Sequence, residues 1–119
     1  MDYFDIKEIY EDFQYPASYI KAMELNLVDF DFWYFMTKEQ VFTRINGLMK
    51  RYPSRRLVPF ARRDDSDDIA CFEVGKEYKV QIIHDFASEG YEQQGEYDRF
   101  WDWMKSALDE LIEKEGDEF

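Results

Sequence analysis

The chain has 119 residues, enough for one domain and too few for a second independent core. It carries 27 acidic against 15 basic side chains, a net charge of −12, yet 19% of its residues are aromatic, which a disordered acidic chain would lack; a folded domain with an acidic surface is expected, one that repels nucleic acid and anionic membranes and attracts basic partners. A single cysteine excludes an internal disulfide framework and cysteine-cluster metal sites, no apolar run approaches the roughly 20 residues that cross a bilayer, and the start Met1-Asp2-Tyr3-Phe4-Asp5 lacks a basic signal region, so a reducing cytoplasm is the expected compartment.

Tyr15-Pro16-Ala17-Ser18 places a proline where a helix can begin, and Tyr19, Ile20, Met23 and Leu27 follow at helical spacing, which predicts a short helix over 16–25. The aromatic run Phe30 to Met36, broken by Asp31, is rich in strand formers and reads as a buried strand. Thr37 with Gln40 three residues on is a capping box, after which Val41, Ile45, Leu48 and Met49 repeat at helical spacing until Tyr52-Pro53. Lys38, Arg44, Lys50 and Arg51 lie mostly in the C-terminal half of this helix, where the macrodipole favours them.

Three strand-like runs follow, at 57–61, 69–74 and 78–83, separated by the turn clusters Asp64-Asp65-Ser66-Asp67-Asp68 and Gly75-Lys76-Glu77; an antiparallel meander is expected. Pro59 cannot donate a ladder hydrogen bond, which places its run near an edge or makes it irregular. Tyr97, Phe100, Trp101, Met104, Leu108 and Leu111 form one apolar face of a long C-terminal helix, with Trp103 off that face and 113–119 a frayed acidic tail.

Charge is segmented along the chain. Residues 37–63 hold 1 acid and 8 bases, whereas residues 64–108 hold 12 acids and 4 bases, so a basic middle is enclosed by acidic flanks and much of that pairing can be satisfied within the fold or at an interface.

The aspartate run at 64–68 suggests a calcium loop but fails in detail. A loop starting at Asp64 has Ile69 at the obligatory glycine position and Gly75 at the bidentate glutamate position; one starting at Asp65 has Ala70 and Lys76 there. An acidic turn, or a patch for a cationic partner, is the better reading. If Gly75 to Tyr78 form the hairpin loop, Cys71 lies opposite Ile82 and Ile69 opposite His84, so Cys71 and the sole histidine share a face diagonally. No motif surrounds the cysteine, and a buried thiol packing as a small hydrophobe is expected. One histidine and one cysteine cannot complete a tetrahedral metal site. Gly-rich phosphate loops, nucleophile elbows and zinc-protease motifs are missing, so no catalytic residue, metal or cofactor is assigned and an enzyme is not expected. Arg51, Arg55, Arg56, Arg62 and Arg63 with Tyr52 and Phe60 have the pattern of RNA contact, but the field of the whole chain opposes a polyanion.

Several strings stand in a characteristic order: Tyr15-Pro16-Ala17-Ser18-Tyr19, Phe32-Trp33-Tyr34-Phe35, Leu57-Val58-Pro59-Phe60-Ala61, Asp67 to Phe72, Val80 to Glu92, and Phe100-Trp101-Asp102-Trp103. Over about residues 15–110 the chain thereby resembles the SUKH superfamily, departing from it where an Asn-Gly pair often follows the first helix and Asn26-Leu27 stands instead. The resemblance implies an α+β fold, helices around an antiparallel or mixed sheet of about four to six strands with a long C-terminal helix, and protein binding in place of catalysis. Many bacterial members are immunity proteins that neutralise a polymorphic toxin, often a nuclease, by direct binding; others are fungal regulators of cell-wall glucan synthesis. On the first reading the partner is a basic toxin domain, met by an acidic surface of Asp64, Asp65, Asp67, Asp68, Asp85, Glu89 and Glu92 with Tyr91 as an anchor; the alternative is a regulatory scaffold with no toxin partner. The sequence leaves the partner's identity and the oligomeric state open.

Overall fold

The computed structural model describes residues 2–76 and 78–116; Glu77 of the second turn cluster and 117–119 of the acidic tail lie outside the described residues. After a 3₁₀ turn at Ile6–Glu8 come α1 (Ala17–Glu24), β1 (Trp33–Phe35), α2 (Lys38–Arg51), β2 (Leu57–Arg63), β3 (Asp68–Glu73), β4 (Val80–His84), β5 (Gln93–Tyr97) and α3 (Phe100–Glu115). The five strands form one sheet in the order β1-β2-β3-β4-β5, every neighbouring pair antiparallel, so the expected α+β class and meander are present.

Local chemistry explains the element ends. Pro16, at φ −59° and ψ 145°, ends an extended segment, and its carbonyl accepts the first helical bonds of α1 from Tyr19 and Ile20. At the other end Asn26 takes φ +57°, with Leu27 N–H bonded to the Ala22 carbonyl and Asn26 N–H to that of Met23. This is a Schellman cap, and asparagine is the side chain that best tolerates the left-handed position when glycine is not used. The capping box of α2 has both bonds: Gln40 N–H donates to Thr37 Oγ1 at 3.2 Å and Thr37 N–H to Gln40 Oε1 at 2.8 Å. The helix stops at Arg51, because Pro53 disfavours helical backbone at Tyr52.

The central strands are apolar on both sides because both faces of the sheet are covered. On one face, Leu57, Ile69, Cys71 and Ile83 pack with Met36, Val41, Leu48 and Tyr52 of and around α2. On the other, Val58, Phe60, Ala70, Phe72 and Val80 meet α1, α3 and the N-terminal segment in a larger aromatic core. There Phe60 and Phe72 stack at 4.5 Å, Tyr19 stacks on Phe35 at 5.5 Å, and Trp103 stands edge-on to Phe60 at 4.9 Å. Aromatic content thus supplies the core with flat, geometrically specific contacts.

Of the two places open to Pro59, a sheet edge or an irregular strand, the second holds: Pro59 lies in β2, an interior strand, and the register shifts between Pro59 and Ala61, so the missing donor is absorbed as an irregularity. Three expectations are corrected. The buried face of α3 is Phe100, Trp103, Met104 and Ala107, leaving Trp101 and Leu108 each 42% exposed. Both apolar stripes share Phe100 and Met104, so spacing alone cannot choose between them; the sheet and α1 do. Helix α3 continues through Glu113 to Glu115, where Lys114 pairs with Asp31, in place of fraying at 113. Finally, β3 pairs with β4 one residue out of the expected register, Cys71 opposite Gln81 and Asp68 opposite His84, because the connection spans 74–79. A one-residue slip reverses every side chain, so Cys71 and His84 point to opposite faces.

Candidate protein-docking surface

β2 and β4 run in the same direction, so the β2–β3 turn at 64–67 and the β4–β5 loop at 85–92 emerge at one end of the sheet. Two bonds join them: Asp85 N–H donates to the Asp67 carbonyl at 3.1 Å, and His84 Nδ1 meets Asp68 Oδ1 at 2.7 Å. Asp64, Asp65, Asp67, Glu89 and Tyr91 are exposed at this end and Asp68 is half-buried. Arg63 grips Asp65 through two bonds of 2.7 and 3.1 Å and reaches Glu110 on α3, and its guanidinium holds the Asp65 carboxyl below the usual range. Part of the acidic turn is therefore internally paired, while no side-chain ion pair engages Asp64, Asp67 or Glu89 among the described residues.

Asp85 and Glu92 do not belong to that outer surface. Asp85 is fully buried: its carboxylate accepts from Arg44 Nη1 at 2.7 Å, Arg51 Nε at 2.7 Å, Arg51 Nη2 at 2.8 Å and the Phe86 N–H at 2.8 Å. Glu92, also buried, accepts from Arg55 Nη1 at 3.0 Å and Gly90 N–H at 2.7 Å, while Arg55 makes a forked contact with Glu73. Burial pushes the Glu92 carboxyl up, but hydrogen bonds from backbone and Arg55 outweigh it and hold the group below its ordinary value. A buried carboxylate needs such partners, and the basic segment 37–63 supplies them.

These two carboxylates act as internal clamps on the loop. The Tyr52 hydroxyl adds a third tie, donating to the Ala87 carbonyl at 2.7 Å. Held this way, the loop displays Tyr91, 77% exposed, and Phe86, 61% exposed and at φ +70°. A phenylalanine in the left-handed region is strained by roughly 1–3 kcal/mol and persists only where its surroundings dictate it. Here they do: its N–H is bound to Asp85, and the Arg51 guanidinium carbon lies 4.3 Å from its ring centre.

Gly47 belongs to the same assembly. A β-carbon there would stand 2.7 Å from Arg51 Nη2, so the mid-helix glycine leaves the lane through which Arg51 folds back to Asp85. Sequence reasoning missed Phe86, Gly47 and the clamping role of Arg44, Arg51 and Arg55. The available signals were the abrupt basic-to-acidic segmentation and a glycine inside an otherwise helical pattern.

Elsewhere, a polar depression of about 580 Å³ lies beside β5, and three of its groups pair with one another: Gln81 Nε2 donates to Glu96 at 2.8 Å and Gln93 Nε2 to Gln81 Oε1 at 2.9 Å. Among the described residues no group of three or more His, Cys, Asp or Glu is placed to hold a metal ion, and no helix is long and apolar enough to cross a membrane. Fold and loop together define an α+β domain that presents a braced, acidic and aromatic sheet end. No family model, curated protein or solved structure matches the chain.

Proposed function

We propose that this chain is an immunity-type binding module, acting in the cytoplasm, that docks on a basic toxin domain, of the nuclease kind, and neutralises it by covering its working surface with no bond-making of its own. The observation that carries this reading is the convergence, at one end of the sheet, of exposed carboxylates at Asp64, Asp67 and Glu89 with the exposed ring of Tyr91 on a loop braced from within. Carboxylates at a docking face steer a cationic partner and raise its association rate by about 10 to 10³, an effect that weakens with salt. Aromatic anchors on a pre-ordered loop supply the residence time, since little side-chain or backbone freedom remains to be lost on binding. A polycation-binding face of this kind mimics the polyanion that a nuclease must hold.

The test is co-expression and co-purification with the product of the adjacent gene, followed by the same experiment with Asp64→Asn, Asp67→Asn and Glu89→Gln combined. A stable complex whose association rate falls in the variant, with a flatter salt dependence, supports the reading. Unchanged protection and an unchanged salt slope would remove the acidic face from the reading, and no complex with that gene product would remove the reading itself.

A further inference from the structure

Phe86 already meets two guanidiniums of its own chain. Its ring receives Arg51 at 4.3 Å, with Arg44 at 5.7 Å, and yet 61% of the residue stays open to solvent. The Asp85 bonds fix the ring's backbone at φ +70°, so its outward presentation is set before any partner arrives. Tyr91 offers a second ring from the same loop, and Asp67, whose carbonyl is bonded to the loop, and Glu89 place carboxylates at the same sheet end. Exposed aromatic rings and carboxylates at one sheet end suit a planar, weakly hydrated cation that can stack and donate several hydrogen bonds at once; arginine meets all of those demands and lysine only the charge.

Resting on the reading above, we propose that the β4–β5 loop is an arginine-selective reader: Phe86 and Tyr91 stack the guanidinium groups of the partner's surface while Asp67 and Glu89 receive their N–H groups. The acidic turn then sets how fast a basic protein arrives, and the aromatic pair sets which cation is retained.

The experiment measures binding of two defined probes, a peptide of repeating Arg-Gly-Ser units and its Lys-Gly-Ser counterpart of equal length and charge, by calorimetry at about 50 and 300 mM salt, conditions that span weak and strong screening. The full chain is compared with a Phe86→Leu/Tyr91→Leu variant, which keeps apolar bulk and removes the ring faces, and with an Asp67→Asn/Glu89→Gln variant. Melting temperatures confirm that each variant is folded. The wild-type chain is expected to hold the arginine peptide about two- to fivefold more tightly than the lysine peptide. That preference should vanish in the leucine variant, whose salt dependence should persist. In the amide variant both peptides should weaken and the salt dependence flatten.

Equal affinities for the two peptides in the wild-type chain, or a preference that survives in the leucine variant, would overturn the arginine assignment and leave the basic-partner reading intact. Failure of both peptides to bind at low salt would overturn both.

Discussion

Arg51 folds back along its own helix and meets Asp85 through paired bonds of 2.7 and 2.8 Å, so a loop displaying two aromatic rings is fastened to the flank of α2 by one buried carboxylate. Arg44 completes the site from about two turns earlier in the helix, and the same carboxylate also receives the Phe86 N–H. One side chain therefore pairs with two cations at once and fixes a strained backbone.

Asp85→Asn removes the charge that both guanidiniums need. Breaking a buried ion pair from one side destabilises by about 3–5 kcal/mol; Arg44 and Arg51 are 21% and 28% exposed and can partly rehydrate, which places the effect at the low end of that range. Urea denaturation should show a loss of about 3 kcal/mol, accompanied by faster amide exchange across 85–92.

Gly47→Ala should act against helix propensity. Alanine gains about 1 kcal/mol over glycine inside a helix, but its β-carbon would press on Arg51 Nη2 at 2.7 Å and push the guanidinium off Asp85. The substitution is expected to destabilise the wild-type chain and to stabilise a chain already carrying Arg51→Met. Opposite signs in the two backgrounds, measured by denaturant midpoints, identify the crowding as the cause.

Glu92 makes stability depend on acid. Its carboxyl is held below the ordinary value, so the unfolded chain takes up the proton first as pH falls, and unfolding is favoured in turn. Its contribution is complete above the unfolded glutamate value of about 4.3 and is lost as pH drops through the lower folded value. Glu92→Gln should be less stable at neutral pH and should show a shallower loss of stability below about pH 4.3.

Cys71 should report global opening. It is fully buried, and burial pushes its thiol well above the normal range, so no thiolate is offered to reagents in the folded chain. Labelling by a disulfide reagent is expected to be undetectable in the native state and to follow the unfolding transition in denaturant. Rapid labelling without denaturant would disprove that burial.

Elements whose boundaries are written in local chemistry were legible before the fold. Thr37 and Gln40 announced α2, Pro16 the approach to α1, and the alternation of apolar runs with turn clusters the β2–β4 meander. Strand β5 was missed because Gln93-Gln94-Gly95-Glu96-Tyr97 is an edge whose polar residues face solvent and whose register shifts opposite Ile82 and Ile83, so it has neither a strand's alternation nor its apolar content. The β3–β4 register was off by one because the length of the intervening loop is not encoded in either strand.

The acidic site was legible only in part, for a different reason. Asp85 and Glu92 are chemically indistinguishable from Asp64 and Glu89 along the chain. What separates the buried clamps from the exposed carboxylates is the arrival of Arg44, Arg51 and Arg55 from more than 30 residues away, a property of the tertiary fold. Net charge located the acidity without sorting it into inner and outer groups.

The sheet's spatial order is also its order of synthesis, with each strand laid beside the one made just before it. A nascent chain can thus assemble the sheet vectorially as it leaves the ribosome, without waiting for a distant partner strand. The rings of Phe60 and Phe72, however, gain Phe100 and Trp103 as neighbours only once α3 has been translated. Until that moment part of the aromatic face, the part that α1 and the N-terminal segment leave uncovered, stands open, and any pause in elongation between β5 and α3 would expose it to misassociation.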